Sequence, residues 1–110
     1  MWYINKTQPT SLNQIIDESK KHPVIIFKHS ATCPISAGAY SRMTQGVEQG
    51  LVSYPVYTVI VQEDRELSNQ IAESLEIQHA SPQLLLVKDG KVVYDASHGN
   101  IQVDAIPKLS

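Results

Sequence analysis

The sequence predicts an α/β fold in which a central mixed β-sheet carries helices on both faces. Two short apolar runs, at residues 24–27 and 84–87, are predicted to be strands, and the first has the composition of a strand that is covered on both sides. Segments with helical spacing of apolar residues lie between the predicted strands. An Asp-Gly pair at residues 89 and 90 predicts a tight hairpin, which adds an antiparallel strand to the sheet.

The first half of the chain alternates strand and helix signals. Ser11 and Gln14 have the spacing of a capping box, and two isoleucines follow, so a helix is predicted from about residue 12. Pro23 ends that segment before the first apolar run. Pro34 suits the first turn of a second helix, because its missing N–H would have no partner there.

The second half continues the alternation and ends in the hairpin. Leu67, Ile71 and Leu75 recur at the spacing of an amphipathic helix. Pro107 is expected to stop a last short helix. The predicted elements are strand 2–4, helix 12–20, strand 24–27, helix 34–49, strand 55–61, helix 64–75, strand 84–87, strand 92–94 and helix 101–106. Strand–helix–strand crossovers imply parallel pairing, so the whole order predicts a thioredoxin-like layout.

Composition narrows the function classes. A chain of 110 residues with 42% hydrophobic and 18% charged residues predicts one domain, spanning residues 1–110, with a core of its own. A net charge of −2 without a basic block argues against binding to nucleic acid or an anionic membrane surface. The first residues lack the apolar core of a signal peptide, and a single cysteine forms no internal disulfide. We therefore expect a cytoplasmic protein. We also expect a monomer.

Cys33, the single cysteine, lies where an apolar strand is predicted to give way to a helix. A thiol at the first turn of a helix lies near unpaired backbone N–H groups and the positive end of the helix dipole. Both favour the thiolate, the form that attacks disulfides. The alternative is an inert buried thiol. The polar flanking residues and Pro34 favour a reactive sulfur.

Ser36 occupies the position at which a resolving cysteine would close an internal disulfide. An external thiol must therefore complete any exchange reaction. A thiol pKa of roughly 6.5 instead of about 8.5 would hardly speed the attack, because nucleophilicity falls with the pKa. The gain lies in the second half of the reaction, in which Cys33 is the leaving group.

The stretch Lys-His-Ser-Ala-Thr-Cys-Pro-Ile-Ser at residues 28–36 resembles the active site of the monothiol bacilliredoxins of the C type. The similarity continues at residues 61–63, 67–72, 79–83 and 97–98. It implies a thioredoxin fold and a cytosolic role with bacillithiol, which some bacteria use in place of glutathione. Cys33 would remove bacillithiol from proteins that carry it as a mixed disulfide.

The resemblance also implies roles for neighbouring residues. Pro82 would be the cis-proline that faces the active-site cysteine, and the backbone of Ser81 would meet an extended substrate. We expect Thr32, Pro34 and Ser36 to support the thiolate, and His29 to lie near the substrate and the sulfur. No bound cofactor is expected. Bacillithiol would be a co-substrate, and the partners would be bacillithiolated client proteins and the reductase of bacillithiol disulfide.

Other functions stay open at this point. Cys33 could serve a broader thiol transferase or be the regulated target of a redox sensor. Monothiol glutaredoxins hold iron–sulfur clusters, but their Cys-Gly-Phe-Ser motif differs from the Cys-Pro-Ile-Ser of residues 33–36. A non-catalytic interaction domain would need an unreactive Cys33. The histidines lack compact ligand spacing, so no metal site is expected and surface or loop positions are favoured; they are His22, His29, His79 and His98.

Overall fold

A computed structural model describes residues 2–4, 11–30, 34–50, 52, 54–62 and 64–107. Its strands and longer helices, labelled in chain order, are β1 (Trp2–Ile4), α1 (Leu12–Lys21), β2 (Val24–His29), α2 (Pro34–Glu48), β3 (Val56–Ile60), α3 (Arg65–Ser74), β4 (Gln83–Lys88) and β5 (Lys91–Ser97). The sheet has five strands in the order β1-β3-β2-β4-β5. Pairing is parallel among β1, β3 and β2, and antiparallel from β2 to β4 and from β4 to β5. The predicted mixed α/β sheet is therefore confirmed. Within the described residues, no helix is both long enough and apolar enough to cross a membrane.

Local sequence signals fix two boundaries. Ser11 caps α1: its backbone N–H donates to Gln14 Oε1 at 3.1 Å, and Gln14 N–H donates to Ser11 Oγ at 3.3 Å. Asp89 and Gly90 connect β4 to β5 with φ values of 52° and 75°. A two-residue hairpin turn of type I′ requires a positive φ at both central residues. The capping box and the hairpin are thus confirmed.

Each face of the sheet carries its own apolar cluster, because successive residues of a strand point to opposite sides. Ile25 and Phe27 of β2 pack toward Ala39 and Met43 of α2. Val24 and Ile26 join the cluster that includes residues of α1 and α3, among them Leu12, Ile15, Leu67 and Ile71. Residues 24–27 are fully buried, as expected for a strand that is covered on both sides.

A β-bulge in β5 changes which face its side chains meet. Leu86 pairs with Tyr94 and Val87 pairs with Val92, so Val93 has no residue opposite it. Tyr94 packs against the cluster on the α2 side, and Val92 packs against the other. Val93 itself is 49% exposed. The bulge thus places Val92 and Tyr94 on opposite faces of the sheet, whereas residues two positions apart in a regular strand share a face.

The predicted helix over residues 101–106 is wrong. Residues Val103–Ala105 form a short 3-10 turn, and another such turn covers His98–Asn100. Ile101 between them is extended and fully buried in the α2-side cluster. Arg42 Nε donates to the carbonyl oxygen of Ile101 at 2.9 Å. Contacts with α2 therefore hold this segment as two short 3-10 turns with an extended residue between them, and not as an α-helix.

Candidate active site

Helix α2 begins at Pro34, which is exposed, and the sequence puts Cys33 immediately before it. The first turn of α2 contains no acidic residue, so no carboxylate there opposes an anion at the positive end of the helix. Cys33 and Thr32 lie outside the described residues, and so does the side chain of Ser36. Their expected roles therefore stay predictions.

The bond between Ser81 and Pro82 is cis, which confirms the conformation that the resemblance implies. Pro82 is buried, and its carbonyl oxygen accepts from the backbone N–H of His98 at 3.1 Å. Lys28 pairs with Gln83 across β2 and β4. His29, the next residue, is the last of β2, and Pro82 comes immediately before β4. Because β2 and β4 are antiparallel, this proline lies at the carboxyl end of β2. That end leads along the chain toward Cys33.

His29 is the last residue of β2 and is half-buried on the side of the sheet that faces α2. Its ring stacks on Phe27 with centroids 6.1 Å apart and is tilted against Tyr40 with centroids 4.9 Å apart. These contacts place it in an aromatic group on α2's side of the sheet. Its predicted contact with a substrate is not tested by this geometry.

Lys28 has no role among those that the sequence predicts. It is fully buried, and its side chain lies on the opposite side of the sheet from that of His29, because the two are adjacent in a strand. Its Nζ donates to the carbonyl oxygen of Ser68 in α3 at 3.1 Å and to Nδ1 of His79 at 3.1 Å. Burial lowers the pKa of Lys28 from 10.5 to about 8. The sequence signal that could have identified this residue is a lysine directly after an apolar run that is predicted to be covered on both sides.

His79 lies in the loop before Pro82, as the sequence analysis expected of a loop histidine. Loss of surrounding water lowers its pKa below 6.5, and the positive charge of Lys28 lowers it further. Gln83, buried at the start of β4, closes the same loop by donating from Nε2 to the carbonyl oxygen of Gln78 at 2.8 Å. Among the described residues, Ser81 Oγ and Gln83 Oε1 are buried without a hydrogen-bond partner.

His79 borders a cleft on each side of the loop. One cleft has a volume of about 320 Å³ and lies between His79 and residues of the β3–α3 connection and of α3. Those other lining residues are Val61, Gln62, Arg65, Ser68 and Asn69. The other, of about 520 Å³, runs past the loop toward β5, where Asp95, Ser97 and His98 line it. Both clefts have polar lining residues, and the second includes Ala80 and Gln83, which flank the Ser81–Pro82 segment.

In the part of the chain that the structure describes, no three histidine, aspartate or glutamate side chains cluster as metal ligands. Because Cys33 is not in that part, the expectation of no metal stays a prediction.

A model of the family described as monothiol bacilliredoxin BrxC matches residues 5–106. The chain belongs to the monothiol bacilliredoxin family. The family description agrees with the single cysteine of the sequence. The fold and the family together support a thiol redox function.

Solved structures confirm the thioredoxin fold. A structure described as a candidate oxidoreductase with a thioredoxin fold is 34% identical, with a TM-score of 0.76 over 96% of this chain and 88% of its own. Thioredoxin from Fasciola hepatica is 19% identical, with a TM-score of 0.64 over 81% and 80% of the two chains. Oxidised thioredoxin from Plasmodium falciparum is 15% identical, with a TM-score of 0.65 over 96% and 90%.

Proposed function

We propose that the protein is a monothiol thiol–disulfide oxidoreductase that removes bacillithiol from protein mixed disulfides in the cytoplasm. The observation that carries the proposal is the family match over residues 5–106, which includes a single cysteine directly before α2. The exposed Pro34 supports it, since the start of α2 is open to solvent. The position of the buried Pro82 at the carboxyl end of β2, from which the chain leads toward Cys33, supports a substrate-contacting loop near that start.

The proposed cycle has two exchange steps. In the first, the thiolate of Cys33 attacks the bacillithiol sulfur of the mixed disulfide, so that a bond forms between these two sulfurs and the client leaves as a thiolate. In the second, a free bacillithiol thiolate attacks the bacillithiol sulfur bound to Cys33. Bacillithiol disulfide is released and Cys33 leaves as a thiolate. Free bacillithiol is the reductant, and a reductase of its disulfide restores it.

The neighbouring residues would assist both steps. Backbone N–H groups at the start of α2, together with the hydroxyl of Ser36, stabilise the thiolate that enters the first step and leaves in the second. Thr32 and Pro34 would also support the thiolate. Ser81 and Pro82 align the client chain, and His29 lies at the adjoining strand end.

Whole-protein mass spectrometry tests the proposal. The protein is mixed with a model protein that carries one bacillithiol mixed disulfide, and samples are quenched with acid before and after free bacillithiol is added. The wild type should gain one bacillithiol, the client should lose one, and free bacillithiol should then clear the adduct. Cys33→Ser should show neither gain nor transfer. Ser41→Ala, which changes an exposed serine of α2, is the matched control and should behave as the wild type.

Two outcomes would overturn the proposal. Transfer that is unaffected by Cys33→Ser would remove Cys33 from the chemistry. Equal rates on a client that carries glutathione would show a general thiol transferase.

A further inference from the structure

The ammonium group of Lys28 joins elements that are far apart in the sequence. The side chain starts on β2, and Nζ reaches the carbonyl oxygen of Ser68 in α3 and Nδ1 of His79 in the loop before Pro82, both at 3.1 Å. The same residue pairs through its backbone with Gln83, which directly follows Pro82. Lys28 is therefore tied to both ends of the 79–83 segment.

The contact with Lys28 also fixes which nitrogen of His79 carries the proton. An ammonium group has hydrogens to donate and no lone pair to accept with. Nδ1 of His79 must therefore be the acceptor, and the neutral ring carries its proton on Nε2. His79 lines both clefts, so the hydrogen bond from Lys28 fixes the orientation of the ring that lies between them.

Packing alone does not require a charge here. A methionine would fill similar space without taking an ammonium group out of water, and replacing buried charges by apolar groups is often neutral or stabilising. Directional hydrogen bonds are what the ammonium adds. Their acceptors are a helix carbonyl and the loop, so their effect is to fix the loop relative to the sheet.

We infer that Lys28 and His79 form a positioning clamp that holds the Ser81–Pro82 loop in register for the client chain. The functional half of this inference rests on the proposed function, in which Ser81 and Pro82 contact the substrate. The clamp acts on client binding, and it does not act on the sulfur of Cys33.

Nitrogen NMR of the imidazole rings tests the clamp itself. In the wild type at pH 7.5, His79 should show an unprotonated Nδ1 and a protonated Nε2. Lys28→Met, which keeps the length of the side chain and removes the donor, should give a mixture of tautomers. Signals of His22, an exposed residue at the end of α1, should be the same in both proteins. An unchanged His79 spectrum in Lys28→Met would overturn the clamp.

Steady-state kinetics on the bacillithiolated client test what the clamp does. Lys28→Met and His79→Leu should raise KM about tenfold, the size expected when one charge-assisted hydrogen bond is lost, with kcat changed by less than about twofold. His79→Asn keeps an acceptor at the δ position and should bring KM back toward the wild-type value. His22→Leu, the matched histidine control, should leave both constants unchanged.

Alkylation of Cys33 by iodoacetamide separates positioning from an effect on the thiol. All variants should be alkylated at the wild-type rate. A parallel loss of alkylation and turnover would overturn positioning, and so would a KM in His79→Asn as high as in His79→Leu. Should Lys28→Met fail to fold, the two His79 variants decide the question. An inactive wild type would reject the proposed function, while the NMR comparison would still decide whether the clamp exists.

Discussion

Lys28 continues an apolar strand, and its side chain has no exposure to solvent. Two hydrogen bonds replace part of the water that the ammonium group loses. They do not replace all of it, which is why the pKa falls from 10.5 to about 8. The residue is thus a buried cation held by two neutral acceptors, the carbonyl oxygen of Ser68 and Nδ1 of His79.

This lowered pKa makes a prediction about stability. In the unfolded chain a lysine titrates near 10.4, so between about pH 8 and 10.4 the unfolded state holds more protons at this site than the folded state. The free energy of unfolding should therefore rise with pH across that window, by an amount on the order of 1–3 kcal/mol. Below about pH 8 the cost of burying the charge is present in full. Urea unfolding of the wild type and Lys28→Met at several pH values measures the difference.

Lys91→Met is the control for that comparison, because it removes an exposed lysine at the start of β5. Between about pH 8 and 10.4, the free energy of unfolding of Lys91→Met should change with pH as that of the wild type does. The difference in this free energy between the wild type and Lys28→Met should change over the same pH range. Parallel curves for wild type and Lys28→Met would show that the ammonium group is not desolvated.

At the scale of elements, α2 and the segment after β5 touch at Gly46. This glycine is buried in the last turn of α2. A methyl group added to it would lie 2.6 Å from Cγ2 and 2.8 Å from Cγ1 of Val103. Val103 is β-branched and lies in a short 3-10 turn, so it has little freedom to move away. The glycine permits the close approach of two segments.

Gly46→Ala should therefore destabilise the fold. Alanine is the better helix former by about 1 kcal/mol, but overpacking costs typically 1–3 kcal/mol. We expect a net loss of up to about 2 kcal/mol in denaturant unfolding. Gly38→Ala in the same helix is the control, since the added methyl group would meet only an ordinary contact with Arg42 at 3.6 Å. It should stabilise by about 0.5–1 kcal/mol. A stabilised Gly46→Ala would contradict the close approach.

Some of these elements could be predicted from the sequence and others could not. Signals within a few residues were sufficient for the capping box of α1 and the Asp89–Gly90 turn. The last segment was predicted wrongly because distant partners on α2, Arg42 and Gly46, determine its shape. For the site, the acceptors of Lys28 lie 40 and 51 residues away along the chain, which no local pattern reveals. The cis bond at Pro82 was expected through the family resemblance.

At the scale of the whole molecule, one sheet separates two apolar clusters, and both depend on the central strands β2 and β4. Ile101, beyond the last strand, is fully buried in one of them. The single tryptophan, Trp2, lies on β1 at the opposite edge of the sheet from β5. These positions allow cooperativity to be measured across the molecule.

Ile101→Ala should lower the free energy of unfolding by about 2–5 kcal/mol, because it removes buried volume that the surroundings cannot fill. If residues 1–110 unfold as one unit, tryptophan fluorescence and far-ultraviolet circular dichroism should shift together. Val93→Ala removes an exposed side chain at the bulge and should cost at most about 1 kcal/mol. A fluorescence transition that stays at the wild-type midpoint while the dichroism shifts would indicate separate units.

The bulge in β5 also bears on how the molecule meets its own copies. β5 is the longer of the two outer strands of the sheet, and an unprotected outer strand invites pairing with another chain. The extra residue twists its backbone, while Lys91 and Asp95 project charge into solvent beside it. Before a second copy could form backbone hydrogen bonds to β5, this strand would have to straighten and the two charged side chains would have to be desolvated. The irregularity that turns Val92 and Tyr94 to opposite faces therefore also discourages self-association along this edge.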